Sequence, residues 1–229
     1  MYTAMLNLLS DESDDEQDGQ PVHNPCCRSG LYVARTKLAG PDGQRLPCRG
    51  LFSSRSLPAG AFVGLYTGEW YTPEHLESMP DARRRNEYAV SISGDARCDE
   101  VVCSPPVRRG TVDATRYPMG LSNEPHKHSA SNCILVEYTF TMDELTNPSL
   151  VPEELHGEDI VSIGLVTTRK IGSHRELTWH YGSAYRRDYE VGKPTRLPRG
   201  LRPEDPIVVL GGRIPNEGVC VLLDAGGSG

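Results

Sequence analysis

Apolar positions along this chain come in short runs cut by glycine, proline and polar clusters, a pattern that predicts strands and turns before helices. "LYVART" (31–36) alternates as a strand does, and "AGPDGQRLP" (39–47) reads as a loop. Residues 50–70 read as strand, turn, strand: Leu51 and Phe52 start the first, Pro58-Ala59-Gly60 turns it, Phe62 to Tyr66 form the second, and Gly68 marks a kink. The best helix candidate is 72–85, with Thr72 as cap, Pro73 at the first helical position and Glu74 at the positive end of the dipole. Pro80 limits that helix to about two turns. "EYAVSIS" (87–93), "GTVDAT" (110–115), "CILVEYTF" (133–140) and "DIVSIGLVTTRKI" (159–171) read as strands, and "ELTWHYG" (176–182) as a last short one. "SAYRRDYEVG" (183–192) is predicted as a short helix with Tyr185 and Tyr189 on one face. "PIVVLGG" (206–212) reads as an edge strand or a docked segment. The sum is a mainly β domain with short helical inserts.

One stretch breaks this pattern. "VDATRYPMGLSNEPHKHSASNC" (112–133) opens like a strand, and then Pro118, Gly120, Asn123, Pro125 and Asn132 supply too much turn chemistry for a strand or helix. Taken alone, it reads as a surface loop.

Composition narrows the picture. The chain of 229 residues carries a net charge of −7, but six of its 31 acids fall within residues 11–18, and the remaining 25 face 24 bases. The acidic character belongs to the tail, and the near-neutral body has no basic face of the kind nucleic-acid binding needs. Residues 1–29 are expected to form an acidic, disordered tail, 30–185 the folded domain, and 186–229 a Pro/Gly-rich extension. Arg83, Arg84 and Arg85 read as a solvated patch. Seven cysteines occur with no CxxC pair, residues 1–10 lack the basic start of a signal peptide, and no apolar run approaches a membrane span. The expectation is free thiols in a reducing intracellular compartment, nucleus or cytoplasm, with no zinc cluster.

Four stretches, in order, resemble the SET domain of protein lysine methyltransferases. They are "RGLFSSRSLPAGAFVGLYTGE" (49–69), "EYAVSI" (87–92), "VDAT…LSNEP…SNC" (112–133) and "LVTTRKIGSHRELTWHYG" (165–182), so the resemblance covers about residues 30–185. It implies a SET-type fold of several small curved sheets with a C-terminal pseudoknot, in which the irregular middle segment passes beneath the "ELTWHY" segment. It also implies methyl transfer from S-adenosylmethionine to a lysine amine of a protein, a histone tail by default or a non-histone protein. Such a site holds a neutral amine in line with the methyl group and excludes water.

Carried across by motif, the resemblance makes Tyr181 the tyrosine at the transfer point and Tyr66 a wall of the lysine channel. Asn123 would contact the amino-acid end of the cofactor, and Glu124, standing where His is usual, would do so through its backbone. Arg49, Gly50 and Leu51 match a turn that approaches the cofactor by its main chain, and Tyr88 is a further candidate for that pocket. Asp113 and Asn132 read as braces of the pseudoknot. Channel volume near Tyr181, beside Leu135 and Ser183, would govern the number of methyl groups. Cys48 stands for a glycine, Leu65 for a frequent acid and His180 for the common Asp, and Asn123-Glu124-Pro125 replaces Asn-His-Ser. No post-SET cysteine triplet follows, so no metal site is expected, and His126 and His128 read as exposed polar residues. Tyr185 and Tyr189 either cover the channel mouth or pack on the core. The alternative function is a non-catalytic SET-like module that binds a peptide or partner, and oligomeric state is not legible.

Overall fold

The computed structural model describes residues 19–36, 48–79, 88–92, 101–108, 111–141, 159–183, 185, 187 and 189–212. The acid run 11–18, the loop 39–47, the arginine run 83–85, and Cys98 and Cys220 lie outside the described residues.

Strands dominate, as the short apolar runs between turn residues predict, and they form small sheets. In the first, β1 (Gln20–Pro21), β2 (Leu31–Arg35), β3 (Arg49–Ser53) and β12 (Arg175–Glu176) lie in that order. In the second, β10 (Cys133–Thr141) pairs antiparallel with β11 (Asp159–Thr167), which pairs with β4 (Phe62–Leu65). The third runs β5 (Glu69–Tyr71), β7 (Val101–Ser104), β6 (Val90–Ile92), and β8 (Val107–Arg108) pairs with β9 (Thr111–Val112). Gly164 in β11 has a packing reason: a Cβ there would lie 2.6 Å from the Tyr138 ring and 3.0 Å from that of Phe62. Those two rings meet edge-on at 6.0 Å over the bare backbone.

Leu51, Val63, Met119, Cys133, Leu165 and Leu177 are buried in one core cluster that joins the first two sheets to the middle segment. Each such aliphatic side chain contributes about 1.5–3 kcal/mol on burial. A second cluster of Cys26, Phe62, Leu65 and Phe140 is covered by the C-terminal stretch. Helix α1 (Pro73–Ser78) is capped as predicted: the Thr72 hydroxyl accepts the His75 N–H, with Pro73 in the first turn.

Three sequence expectations change, and one that left two alternatives resolves to the second. Residues 19–29 are not tail but fold: Gln20–Pro21 pair with β2, Cys26 is fully buried, and Arg28 N–H donates to Val63 O at 2.8 Å. Cys27 packs on Gly64, where a Cβ would come within 2.6 Å of it, so two small cysteine side chains do the work of a core edge. The stretch 206–212 is the docked segment rather than an edge strand. It holds helix α2 (Pro206–Val209), because Asp205 accepts the Ile207 N–H and Pro206 sits in the first turn.

The last strand ends at Glu176. Successive backbone donors beyond it go to separate acceptors: Leu177 N–H to Leu51 O, Thr178 N–H to Asn132 Oδ1, Trp179 N–H to Asn123 O, and Tyr181 N–H to Glu124 Oε1. Two of those acceptors are side chains, so no single partner strand can form. The described residues of 183–192 are not helical either. Arg187 donates to Gly182 O and Tyr185 O, and Gly192 N–H donates to Pro125 O, so a side chain of the segment and a distant carbonyl take the groups a helix would use.

Among the described residues, no helix is long and apolar enough to cross a membrane.

Candidate active site

The irregular segment 112–133 first turns through a 3-10 helix, Pro118–Leu121, that buries Pro118, Met119 and Leu121. Beyond it, the chain is laced to 176–181. The Ser122 hydroxyl donates to Leu177 O at 2.8 Å, and Asn132 N–H and Cys133 N–H both donate to Thr178 O. Asn132 bridges the segments as expected: its Nδ2 donates to Glu176 O at 2.8 Å and its Oδ1 accepts Thr178 N–H at 2.9 Å. Asp113 does something more local. Its Oδ1 accepts from Thr115 N–H, Thr115 Oγ1 and Arg116 N–H, which builds a turn rather than a bridge. Burial pushes that carboxyl up, but the hydrogen bonds from Thr115 and Arg116 outweigh it and hold the group below its ordinary value.

The lacing builds a cavity of about 30 Å³ lined by Tyr66, Tyr88, Ala89, Val90, Gly120, Ser122, Trp179, Tyr181 and Tyr185. Tyr66 follows β4 and is fixed at both ends: its N–H donates to Ile163 O at 2.7 Å and its hydroxyl to Tyr88 O at 2.6 Å. The Tyr181 hydroxyl donates to Ser122 O at 2.9 Å, and its ring meets Trp179 at 4.8 Å and Tyr185 edge-on at 4.9 Å. Burial first, and then the Cys103 thiol and neighbouring phenols at Tyr66 and the neighbouring phenols at Tyr181, push both hydroxyls well above the ordinary tyrosine value, so both stay neutral donors. Gly120 leaves room: a Cβ there would sit 3.1 Å from Pro105 and 3.8 Å from the Tyr66 oxygen. Five aromatic rings around a small space can surround a primary amine, exclude water and tolerate a methylated cation.

A second cluster lies at β3. Asn123 Nδ2 donates to Arg49 O at 3.0 Å and to Glu176 Oε1 at 2.9 Å, and Thr36 Oγ1 donates to the same Glu176 oxygen at 2.6 Å. Arg49 reaches Val112 O at 3.1 Å. Gly50 leaves room for these groups, since a Cβ would lie 2.3 Å from Glu176 Oε1 and 3.0 Å from Asn123 Nδ2 and would push the Glu176 carboxylate aside. A carboxylate and an amide beside a bare glycine offer an acceptor and a donor to an amino-acid terminus, and Arg49 joins them through its carbonyl. Leu51 is fully buried and its carbonyl accepts from Leu177 N–H.

The structure thus gathers Tyr66, Tyr88 and Tyr181 in one cavity and Arg49, Gly50 and Asn123 in a neighbouring cluster. The Glu124 side chain goes to neither. It meets Arg187, Tyr189 and the Tyr181 N–H. Leu135 and Ser183 do not line the cavity, whereas Trp179 does. Trp179 and Tyr181 are two apart in an extended segment, a spacing that puts side chains on one side and was the available signal. For Ser122, which acts through its carbonyl, and for Arg187 no comparable local pattern exists.

The sequence model of the SET domain family matches residues 48–182, the stretch that holds both clusters except Tyr185 and Thr36. The chain belongs to the SET domain family, a protein methyltransferase-type fold of mainly β architecture. A comparison with curated proteins gives no match.

Proposed function

We propose that this protein transfers a methyl group from S-adenosylmethionine to a lysine amine of a protein substrate. The observation that carries this reading is the tyrosine cavity, with Tyr181 held by Ser122 O and Tyr66 by Tyr88 O. When bound, S-adenosylmethionine supplies an activated methyl group on a sulfonium, so little acid–base chemistry is asked of the protein. Arg49, Gly50 and Asn123, with Glu176, would hold its amino-acid end, with Tyr88 and the Leu51 backbone flanking. Tyr181 and Tyr66 orient the lysine amine and, with Trp179 and Tyr185, keep water away from it. Desolvation between these rings favours the neutral amine over its ordinary pKa of about 10.4.

The substrate is read as an extended segment. β6 is one of the two edges of its sheet among the described residues, and Tyr88 to Val90 run into the cavity wall. A peptide paired to that edge would present a lysine there, and a histone tail is the default candidate. The lacing of 122–133 to 176–181 supports a pseudoknot in the family's sense. The proposed organisation keeps an N-terminal tail ahead of the fold, a SET-like body, and a C-terminal extension that docks through α2 and Glu204.

A second reading, a peptide-binding module without turnover, is favoured by one observation: the Asn123 amide already bonds within the protein. Transfer from radiolabelled S-adenosylmethionine to core histones and cell-extract proteins separates the two. Label that vanishes in Tyr181→Phe and Asn123→Ala supports catalysis. No label, together with no heat of cofactor binding, removes it.

A further inference from the structure

We propose that Glu124 is the positioning residue of the tyrosine cavity, with Arg187 as its counter-ion. The proposal rests on the reading of Tyr181 as the residue at the transfer point.

Glu124 is only 2% exposed. Its Oε1 accepts the Tyr181 N–H at 2.8 Å and Arg187 Nη2 at 2.5 Å. Its Oε2 accepts Arg187 Nε at 2.6 Å and the Tyr189 hydroxyl at 2.9 Å. A carboxylate offers about four acceptor sites, so this one is saturated, and the fork of a guanidinium neutralises it in the strongest available geometry. The hydrogen bonds to Glu124 raise the Arg187 guanidinium further above its ordinary value.

The consequence runs to both aromatic walls. Glu124 holds the backbone of Tyr181 directly. Arg187 holds Tyr185 twice, by donating to its carbonyl at 2.8 Å and by lying 5.3 Å over its ring, and that ring packs edge-on against Tyr181. Glu124 follows Asn123 and Ser122 in the chain, so one short stretch fixes the second cluster, the Tyr181 hydroxyl and the Tyr181 amide together. A buried ion pair gives little net stability, so what this one contributes to the cavity is orientation. A lone imidazole could accept only one of these four donors.

The test uses the full chain with Trp70→Phe, which leaves Trp179 as the remaining tryptophan of two. Glu124→Gln, Arg187→Lys and Tyr189→Phe are compared by acrylamide quenching of Trp179, by deuterium exchange of the Tyr181 amide, and by kcat, KM and cofactor Kd. The expected result is faster quenching and about tenfold faster exchange in Glu124→Gln and Arg187→Lys. Alongside it, kcat falls about a hundredfold while cofactor Kd is unchanged, because placement and not binding is lost. Tyr189→Phe moves the same way by less, and it and Arg187→Lys carry the test if Glu124→Gln does not fold. Unchanged quenching and exchange overturn the proposal, as does a loosened cavity with unchanged kcat. If the wild type neither binds cofactor nor transfers methyl while quenching and exchange respond, the methyltransferase reading fails and the positioning network stands.

Discussion

Asn132→Ala tests the lacing that the site depends on. The side chain is nearly buried and ties two segments by two bonds, from Nδ2 to Glu176 O at 2.8 Å and from Thr178 N–H to Oδ1 at 2.9 Å. Truncation leaves a buried peptide donor and a buried peptide acceptor without these partners. Each costs about 1–3 kcal/mol, so the pair is bounded at roughly 2–6 kcal/mol. The backbone path survives, since Asn132 N–H still donates to Thr178 O and Thr168 N–H still donates to Asn132 O, which favours the lower half of that range. The expected loss is about 3 kcal/mol, or roughly 10 °C in Tm for a domain of this size. Urea unfolding followed by tryptophan fluorescence measures it, with an unchanged m-value as the sign that the folded state is intact. Asn132→Asp is sharper. At neutral pH it sets a carboxylate against Glu176 O, and burial with that repulsion raises its pKa. Its stability is therefore highest below the ordinary carboxyl range and falls as pH rises through the raised value. A loss under about 1 kcal/mol for Asn132→Ala, less than a single unpaired buried group costs, would refute the reasoning.

Gly192→Ala is expected to detach the chain after Tyr189, because a Cβ would lie 2.2 Å from Ser129 O and 2.3 Å from His126 O, both backbone atoms that cannot swing away. A Tm drop of about 5 °C or more checks it. Cys27 and Cys48 thiols are pushed from 9.0 up to about 11, chiefly by burial, so they stay protonated and react slowly with a thiol reagent at pH 8 until the chain unfolds. Their contribution to stability is full below pH 9.0 and is lost as pH rises through about 11, which a pH series of urea midpoints reads out. Gly50→Ala is expected to displace Glu176 Oε1 and weaken cofactor affinity more than kcat, measured by calorimetry beside turnover.

Much of the framework is local and therefore legible in the amino-acid order. Alternation marks β2, because side chains on a pleated strand point to opposite faces, and apolar runs rich in β-branched and aromatic residues between turn signals mark β4, β10 and β11. Thr72-Pro73 starts a helix by the same capping chemistry in any context. The four spaced motifs place Tyr66, Asn123 and Tyr181, and the chain folds to bring Tyr66 and Tyr181 to one cavity. What the order alone did not decide is long-range. Trp179 and Tyr181 read as strand residues, but their N–H groups go to Asn123 O and Glu124 Oε1. Glu124 reads as a residue that works through its backbone, yet its carboxylate is buried against an arginine 63 residues on. "SAYRRDYEVG" has helical spacing, and its polar groups are drawn off by that same carboxylate. Asn132 and Glu176 are 44 residues apart. Propensity acts over a turn or two, whereas a buried charge or an unpaired peptide group costs more than propensity contributes. The strands and caps were therefore written in the sequence, and the site's wiring was settled by which buried polar groups the tertiary fold had to satisfy.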